Sequence, residues 1–407
     1  MRAWAVVDLG FGDAGKGRVV DGLCRSEGAD LVARFNGGAQ AGHNVVSPDG
    51  RHHTFSQFCA GTLAGVPGLL GPDFLLHPLA MLFEAEHLVQ VGVPDPFALL
   101  AVDRRARLIT PYQQAANRAR EQARGATPHG SCGVGIGECV ADSLSHPGDT
   151  LRAGDLPDRP SLRQALSRQR ERKRAEVAAL GEEDLSLFED DALIERVLDA
   201  WGELAGVLTL LDPAQVRARV AAARALVLEG AQGVLLDQDW GLHPHTTWSD
   251  CTFAGALALA GDRPVTRIGV SRSYQVRHGA GPFPTEGTLS LPEPHNTRDP
   301  WQGDFRTGAL DLVLLRYALQ VSGGVDRVVL THLDRLATGP VCVGYRGALP
   351  DGMGLSEGGL VRRLVPGARS DLAWRERLGG ALGGVEVVLE TRDIAVAVAG
   401  VVAEEGG

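Results

Sequence analysis

None of the six cysteines, Cys24, Cys59, Cys132, Cys139, Cys251 and Cys342, stands in a CxxC pair. That scatter suggests neither a zinc site nor a disulfide framework and fits a reducing compartment. Long apolar runs are missing too: no uninterrupted stretch of about 18 residues is available to span a bilayer. The opening MRAWAVVDLG lacks the basic segment, apolar run and small-residue cleavage site of an export signal. The expectation is a cytoplasmic protein that meets no membrane. Positive charge is in deficit, with a formal net charge of -10, which argues against a broad footprint for duplex nucleic acid and leaves only local basic pockets.

What the chain does have is length and apolar content. Its 407 residues are 44% hydrophobic and 22% charged, enough to bury a large core. Short apolar runs at 3–9, 31–35, 225–228, 265–270, 327–331, 341–343 and 385–389 read as buried strands. Helical patterns lie at 79–91, 111–124, 162–180, 191–204, 213–223 and 308–320. The alternation predicts an α/β fold, a large mostly parallel central sheet with helices on both faces, built as one domain over 1–407. Residues 149–220 carry helical patterns without a convincing strand and read as a helical insertion or subdomain. Their arginine run, SLRQALSRQRERKRAEVAAL, reads as a solvated helix face.

The run LGFGDAGKGRVVD follows the first strand and opens a helix. It matches the GxxxxGK part of a phosphate-binding loop, with Gly10, Gly15 and Lys16 in the frame and Gly12 between them, but has Gly17 where serine or threonine normally supplies a magnesium hydroxyl. Glycines let backbone N–H groups converge on phosphate oxygens, the helix N-terminus favours negative charge, and Lys16 adds a point charge. Asp13, inside the loop, is able to supply an oxygen to a metal or act as a base beside the terminal phosphate.

Read in order, GDAGKGRVVD, FNGGAQAGHNVV (35–46), LEGAQGVLLDQDWGLHP (228–244) and GAGPFPTE (279–286) resemble the adenylosuccinate synthetase family over nearly the whole chain. The resemblance implies a GTP-dependent ligase that joins inosine monophosphate to L-aspartate with Mg2+, as a homodimer whose active sites share residues. By resemblance Asp13 is the base that removes the purine N1 proton and also touches the metal. His43 is the acid that steadies charge on the transferred phosphoryl, Lys16 is the loop cation, and the Gly42 carbonyl is a metal ligand. Gln40, where the family has asparagine, and Gln232 are amide contacts to nucleotide. Thr247, Ser131 and Cys132 join the nucleotide-binding set.

Several family positions are altered here. The glycine-rich segment 130–138 keeps Ser131 but has Cys132 for a threonine and Val134 for an arginine, weakening one phosphate donor and removing one charge. The arginine that the family lends from the partner subunit has no match before 151–156. The arginine-rich loop that grips aspartate becomes TRDPWQGDFRTG, leaving Arg298 and Arg306 and adding Asp299 and Asp304. That charge balance disfavours a dicarboxylate unless Arg277 or Arg298 compensates, so the amino donor is aspartate or another amino acid. The guanine-reading segment is THLD, with His332 for a lysine and Asp334 kept to accept from guanine, so GTP leads and ATP stays open. A protein that only senses nucleotide is the alternative of a different class.

Overall fold

The computed structural model describes residues 1–291, 301–346, 382 and 385–405. Eight strands form its main sheet in the order Arg327–Thr331, Thr266–Arg272, Arg2–Asp8, Ala225–Glu229, Leu31–Arg34, Gly68–Leu70, Leu100–Asp103 and Thr209–Leu211. Five of the pairings are parallel in register, among them Leu226↔Leu31 and Ile268↔Arg327. The expected α/β architecture is observed.

The chain divides into two compact units. The first comprises Met1–Trp4, Gly17–Gly230 and Gly255–Val265. Its strands Leu31–Arg34 and Ala225–Glu229 are buried at every position, the pattern of a parallel sheet covered on both faces. Helix starts follow local chemistry. Pro111–Ala123 opens with a Thr110/Gln113 capping box and a proline in its first turn, and Pro213–Ala222 with Asp212/Gln215.

In the 149–220 stretch, helices Arg159–Ala179 and Leu193–Val207 are accompanied by a strand that the sequence hid, Thr209–Leu211. Three residues at the sheet edge are too few to show a period. Helix Leu193–Val207 buries Ile194, Val197, Leu198, Trp201 and Leu204. Each such side chain is worth roughly 1.5–3 kcal/mol, against about 0–1 for an exposed ion pair, so this stripe anchors the helix. The arginine run is solvated at Arg163 and Arg168. Lys173, in contrast, is buried among Glu138, Asp142 and Glu176 at 2.7, 2.9 and 3.1 Å.

The second unit comprises Ala5–Lys16, Ala231–Ala254 and Thr266–Gly407. It holds the antiparallel hairpin Gln275–His278 and Phe305–Gly308. It also holds a small sheet of Leu310–Asp311, Thr338–Arg346 and Glu386–Asp393. Helices Leu312–Val321 and Ile394–Glu405 belong to it as well, the former capped by Asp311 through the N–H groups of Val313 and Leu314. Two strands expected to be buried are not: Arg327–Thr331 is half-buried at the edge of the main sheet, and Glu386–Asp393 is largely exposed. Among the described residues no helix is long and apolar enough to cross a membrane.

Candidate active site

In the second unit the phosphate loop is organised from beneath by a residue that the motif does not contain. Asp8, buried at the end of the first strand, accepts from the N–H groups of Gly10 and Ala14, both at 2.8 Å, and from Lys16 Nζ at 3.0 Å. One carboxylate thus sets the turn and holds the loop cation. Among the described residues three non-glycines adopt left-handed backbone, Asp13 (φ 59°), Gln232 (φ 62°) and His332 (φ 61°), and all three are site residues expected from the sequence. Such conformations are costly and concentrate where surrounding structure holds side chains for function. Gly12 and Gly15, at φ 93° and 95°, take the turns that a side chain would strain.

Two segments press on this loop. Gly233 approaches so closely that a Cβ there would lie 2.2 Å from the Gly10 carbonyl oxygen, and Leu235 N–H donates to that oxygen at 3.0 Å. This brings Gln232 beside Gly12. Thr331 Oγ1 donates to the Ala14 carbonyl at 2.8 Å, with His332 next in the chain and Asp334 exposed beyond it. Half-buried Thr247 donates its N–H to Leu236.

Asp13 is an exposed residue of the loop whose carboxyl is nonetheless crowded by protein. Crowding governs its proton affinity: desolvation raises the pKa above the ordinary value, Lys16 opposes that most strongly, Asp8 adds to it, and His278 and Arg272 pull it down. A carboxylate lifted in this way is a better base than a free aspartate.

In the first unit His43 opens the hairpin His43–Val46 and His52–Phe55. Its Nδ1 meets Glu229 Oε1 at 2.5 Å, and Glu229 Oε2 accepts from Ala60 N–H at 3.0 Å. Burial alone would raise the Glu229 pKa. The bond from His43, its charge and that of Arg34 outweigh burial and hold it low. An ionised Glu229 fixes Nδ1 as the protonated nitrogen, so Nε2 is the one offered for chemistry. Gly17 has a reason here too: a Cβ at that position would sit 2.9 Å from His43 Cβ and 3.1 Å from the Asn44 carbonyl oxygen. The serine or threonine of an ordinary phosphate loop would collide with the histidine hairpin.

Gln40 and Gly42 lie on the approach to that hairpin. Both ends of the Gln40 amide are buried without a hydrogen-bond partner among the described residues, a costly state that a ligand would relieve. Ser131 Oγ donates to Asn117 Oδ1 at 2.9 Å and accepts from Gly133 N–H, so it shapes its own loop, with half-buried Cys132 alongside.

The arginines of the second-unit hairpin are turned inward. Arg277 donates to the carbonyls of Ala280, Pro282 and His245 and lies over the Phe11 ring; burial lowers its pKa to about 9, and neighbouring Arg306 adds to the fall. Arg306 donates to Glu286 at 2.6 Å and to the carbonyls of Gly279 and Gly281, leaving Nε buried without a partner among the described residues. Arg277 therefore supports the turn instead of replacing the lost arginines. Arg298 lies outside the described residues.

The family model described as adenylosuccinate synthetase matches residues 5–362. Adenylosuccinate synthetase of Saccharopolyspora erythraea is 34% identical over 401 residues, covering 94% of this chain and 90% of that protein. The Clostridium beijerinckii enzyme is 33% identical over 365 residues, covering 85% and 82%. The chain belongs to the adenylosuccinate synthetase family. It is accordingly a nucleotide-binding ligase of the adenylosuccinate synthetase type. Solved structures agree on the fold. Fully ligated adenylosuccinate synthetase from Plasmodium falciparum superposes with a TM-score of 0.73 at 23% identity, over 97% of this chain and 90% of that one. A cyanophage S-2L succinoaminodeoxyadenylate synthetase, bound to dGMP and to dATP as energy donor, gives 0.59 at 20% identity over 99% of both.

Asp8, Glu229, Arg272 and His278 escaped the sequence reading. Asp8 and Glu229 shared a signal, a single carboxylate ending an otherwise apolar buried strand. Ligands of open α/β sheets bind at those strand ends.

Proposed function

We propose that the chain uses a nucleoside triphosphate, GTP in the first instance, to phosphorylate O6 of inosine monophosphate or a related purine, and that the amine of L-aspartate or another amino acid then displaces the phosphate. The observation that carries this reading is Asp13: a carboxylate in left-handed backbone inside the phosphate loop, with its pKa raised, in the same loop as Lys16. A loop that only binds triphosphate has no need of it.

In this reading Asp13 takes the N1 proton as O6 attacks the γ-phosphorus, Lys16 neutralises charge on the phosphates, and a doubly protonated His43, with Nδ1 held by Glu229, donates through Nε2 to the oxygens on which charge develops. Gly12, Gly15 and Gly17 shape the cradle; Gln40, Ser131, Cys132, Gln232, Thr247, His332 and Asp334 contact the two nucleotides. Arg298 and Arg306 belong to the amino-acid side. Magnesium would suit the donors on offer, since it takes one or two carboxylates and the substrate's phosphates; by the family resemblance Asp13 and the Gly42 carbonyl would hold it. The ion supplies Lewis-acid neutralisation of the transferred phosphoryl. The resemblance also carries a homodimer and a cytoplasmic setting into the proposal.

ATP as energy donor is the second reading. It is favoured by His332 in place of lysine and by the cyanophage relative, whose donor is dATP. Purified protein incubated with inosine monophosphate, Mg2+ and aspartate, with GTP or ATP in parallel, decides between the two by phosphate release and the ultraviolet absorbance of the adduct. Folded protein that yields no phosphate with any donor in an amino-acid panel overturns the ligase reading.

A further inference from the structure

The hairpin Gln275–His278/Phe305–Gly308 carries three nitrogen donors of the kind that bind anions, and two are already committed. Arg277 is spent on three carbonyls, and both terminal nitrogens of Arg306 are engaged. His278 differs. Its Nε2 is buried and has no hydrogen-bond partner among the described residues. The ring is held in place: Phe305, its cross-strand partner, packs edge-on at 5.7 Å and 82°. Gly279 fixes the exit of the strand, since a Cβ there would come within 2.5 Å of the Gln302 carbonyl oxygen. His278 is also among the groups whose field reaches the Asp13 carboxyl.

A buried, oriented ring nitrogen without a partner is expensive unless a ligand pairs with it. Asp13 needs room for a purine edge, so the acceptor comes from the molecule that arrives next to the purine. We infer that His278 Nε2 donates to a carboxylate oxygen of the amine donor and helps choose it, standing in for guanidinium groups that this hairpin has turned inward. Among the described residues the hairpin offers this carboxylate one imidazole beside one engaged arginine, a set that suits a donor whose side chain carries no second anion. This inference rests on the ligase reading.

The test is steady-state kinetics on wild type, H278Q and H278V, with L-aspartate, L-asparagine, L-alanine and glycine as donors. A hydrogen bond to a charged group is worth about ten-fold or more. H278V is expected to raise KM for the preferred donor by at least that factor, with KM for both nucleotides within about two-fold of wild type. H278Q, whose amide N–H reaches a similar point, should recover part of the loss. An unchanged donor KM in H278V overturns the inference, as does a rise confined to the nucleotides. If wild type turns over none of these donors, the ligase reading fails separately. Calorimetric titration of L-aspartate and glycine into nucleotide-loaded wild type and H278V then decides the role of His278, and equal or absent heats reject it.

Discussion

Two parts of the second unit, the phosphate loop and the 275–278/305–308 hairpin, face the same problem of holding cations where anions are to bind, and they solve it in opposite ways. Asp8 holds Lys16 in the loop through one carboxylate, a partner that a phosphate of higher charge is able to outbid. In the hairpin, carbonyl oxygens and Glu286 absorb the guanidinium donors of Arg277 and Arg306 into the fold. In the proposed reaction, activation of the triphosphate would rest on machinery aimed at a ligand, and choice of the amine on a scaffold whose described arginines are turned inward.

The sharpest way to break this contrast is Asp13→Asn. A lost general base costs about 10²–10⁴-fold in rate, so turnover measured by phosphate release should fall by about 10³-fold while triphosphate affinity, read by titration, holds. Wild-type turnover in the variant removes the base from the loop. Asp8→Asn comes next, because it leaves Lys16 buried against a neutral partner; breaking a buried pair costs roughly 3–5 kcal/mol. Urea unfolding that matches wild type would show that the lysine does not depend on Asp8.

On the hairpin side, Asp311 begins the helix that follows. Its pKa is raised from 3.8 to about 6, chiefly by burial, against the bonds from Tyr345 and the helix N–H groups. A carboxyl that holds its proton more tightly when folded favours the fold at low pH and loses that advantage as pH rises through 6. The effect is at most about 3 kcal/mol for a shift of this size. Asp311→Asn should therefore gain stability relative to wild type between pH 4 and 7, followed by thermal melts at fixed ionic strength. A gap that is flat with pH contradicts the assignment. The smallest effect is expected from Arg306→Lys, which keeps charge but loses the fork onto Gly279 and Gly281. A rise of a few-fold in donor KM fits a supporting role, whereas a hundred-fold rise would place Arg306 on the substrate.

How much of this was readable beforehand follows from length and period. The strand, glycine turn and helix around Lys16 were legible because each has its own signature within a dozen residues. Gly68–Leu70 and Thr209–Leu211 were not, since three residues show no alternation and their place in the sheet is decided by neighbours remote in sequence. Asp13, Gln232 and His332 were found through motifs, yet nothing in the sequence announced that their backbones share the left-handed region. Arg277 reads from sequence as a spare cation; only the folded turn reveals three carbonyls around it. Glu229 sits within a motif, but its partner His43 lies 186 residues away and no sequence spacing links the two.

Position 17 carries a consequence for the routes open to this loop under mutation. Because a Cβ there meets His43 and Asn44, no single substitution introduces the hydroxyl of an ordinary triphosphate loop without disturbing the histidine. Adopting that hydroxyl means displacing His43, and in the proposed mechanism this removes the acid before the new metal ligand is of use. On that reading each intermediate on the way to a plain nucleotidase is impaired in both trades, and crowding at one glycine helps keep the proposed chemistry in place.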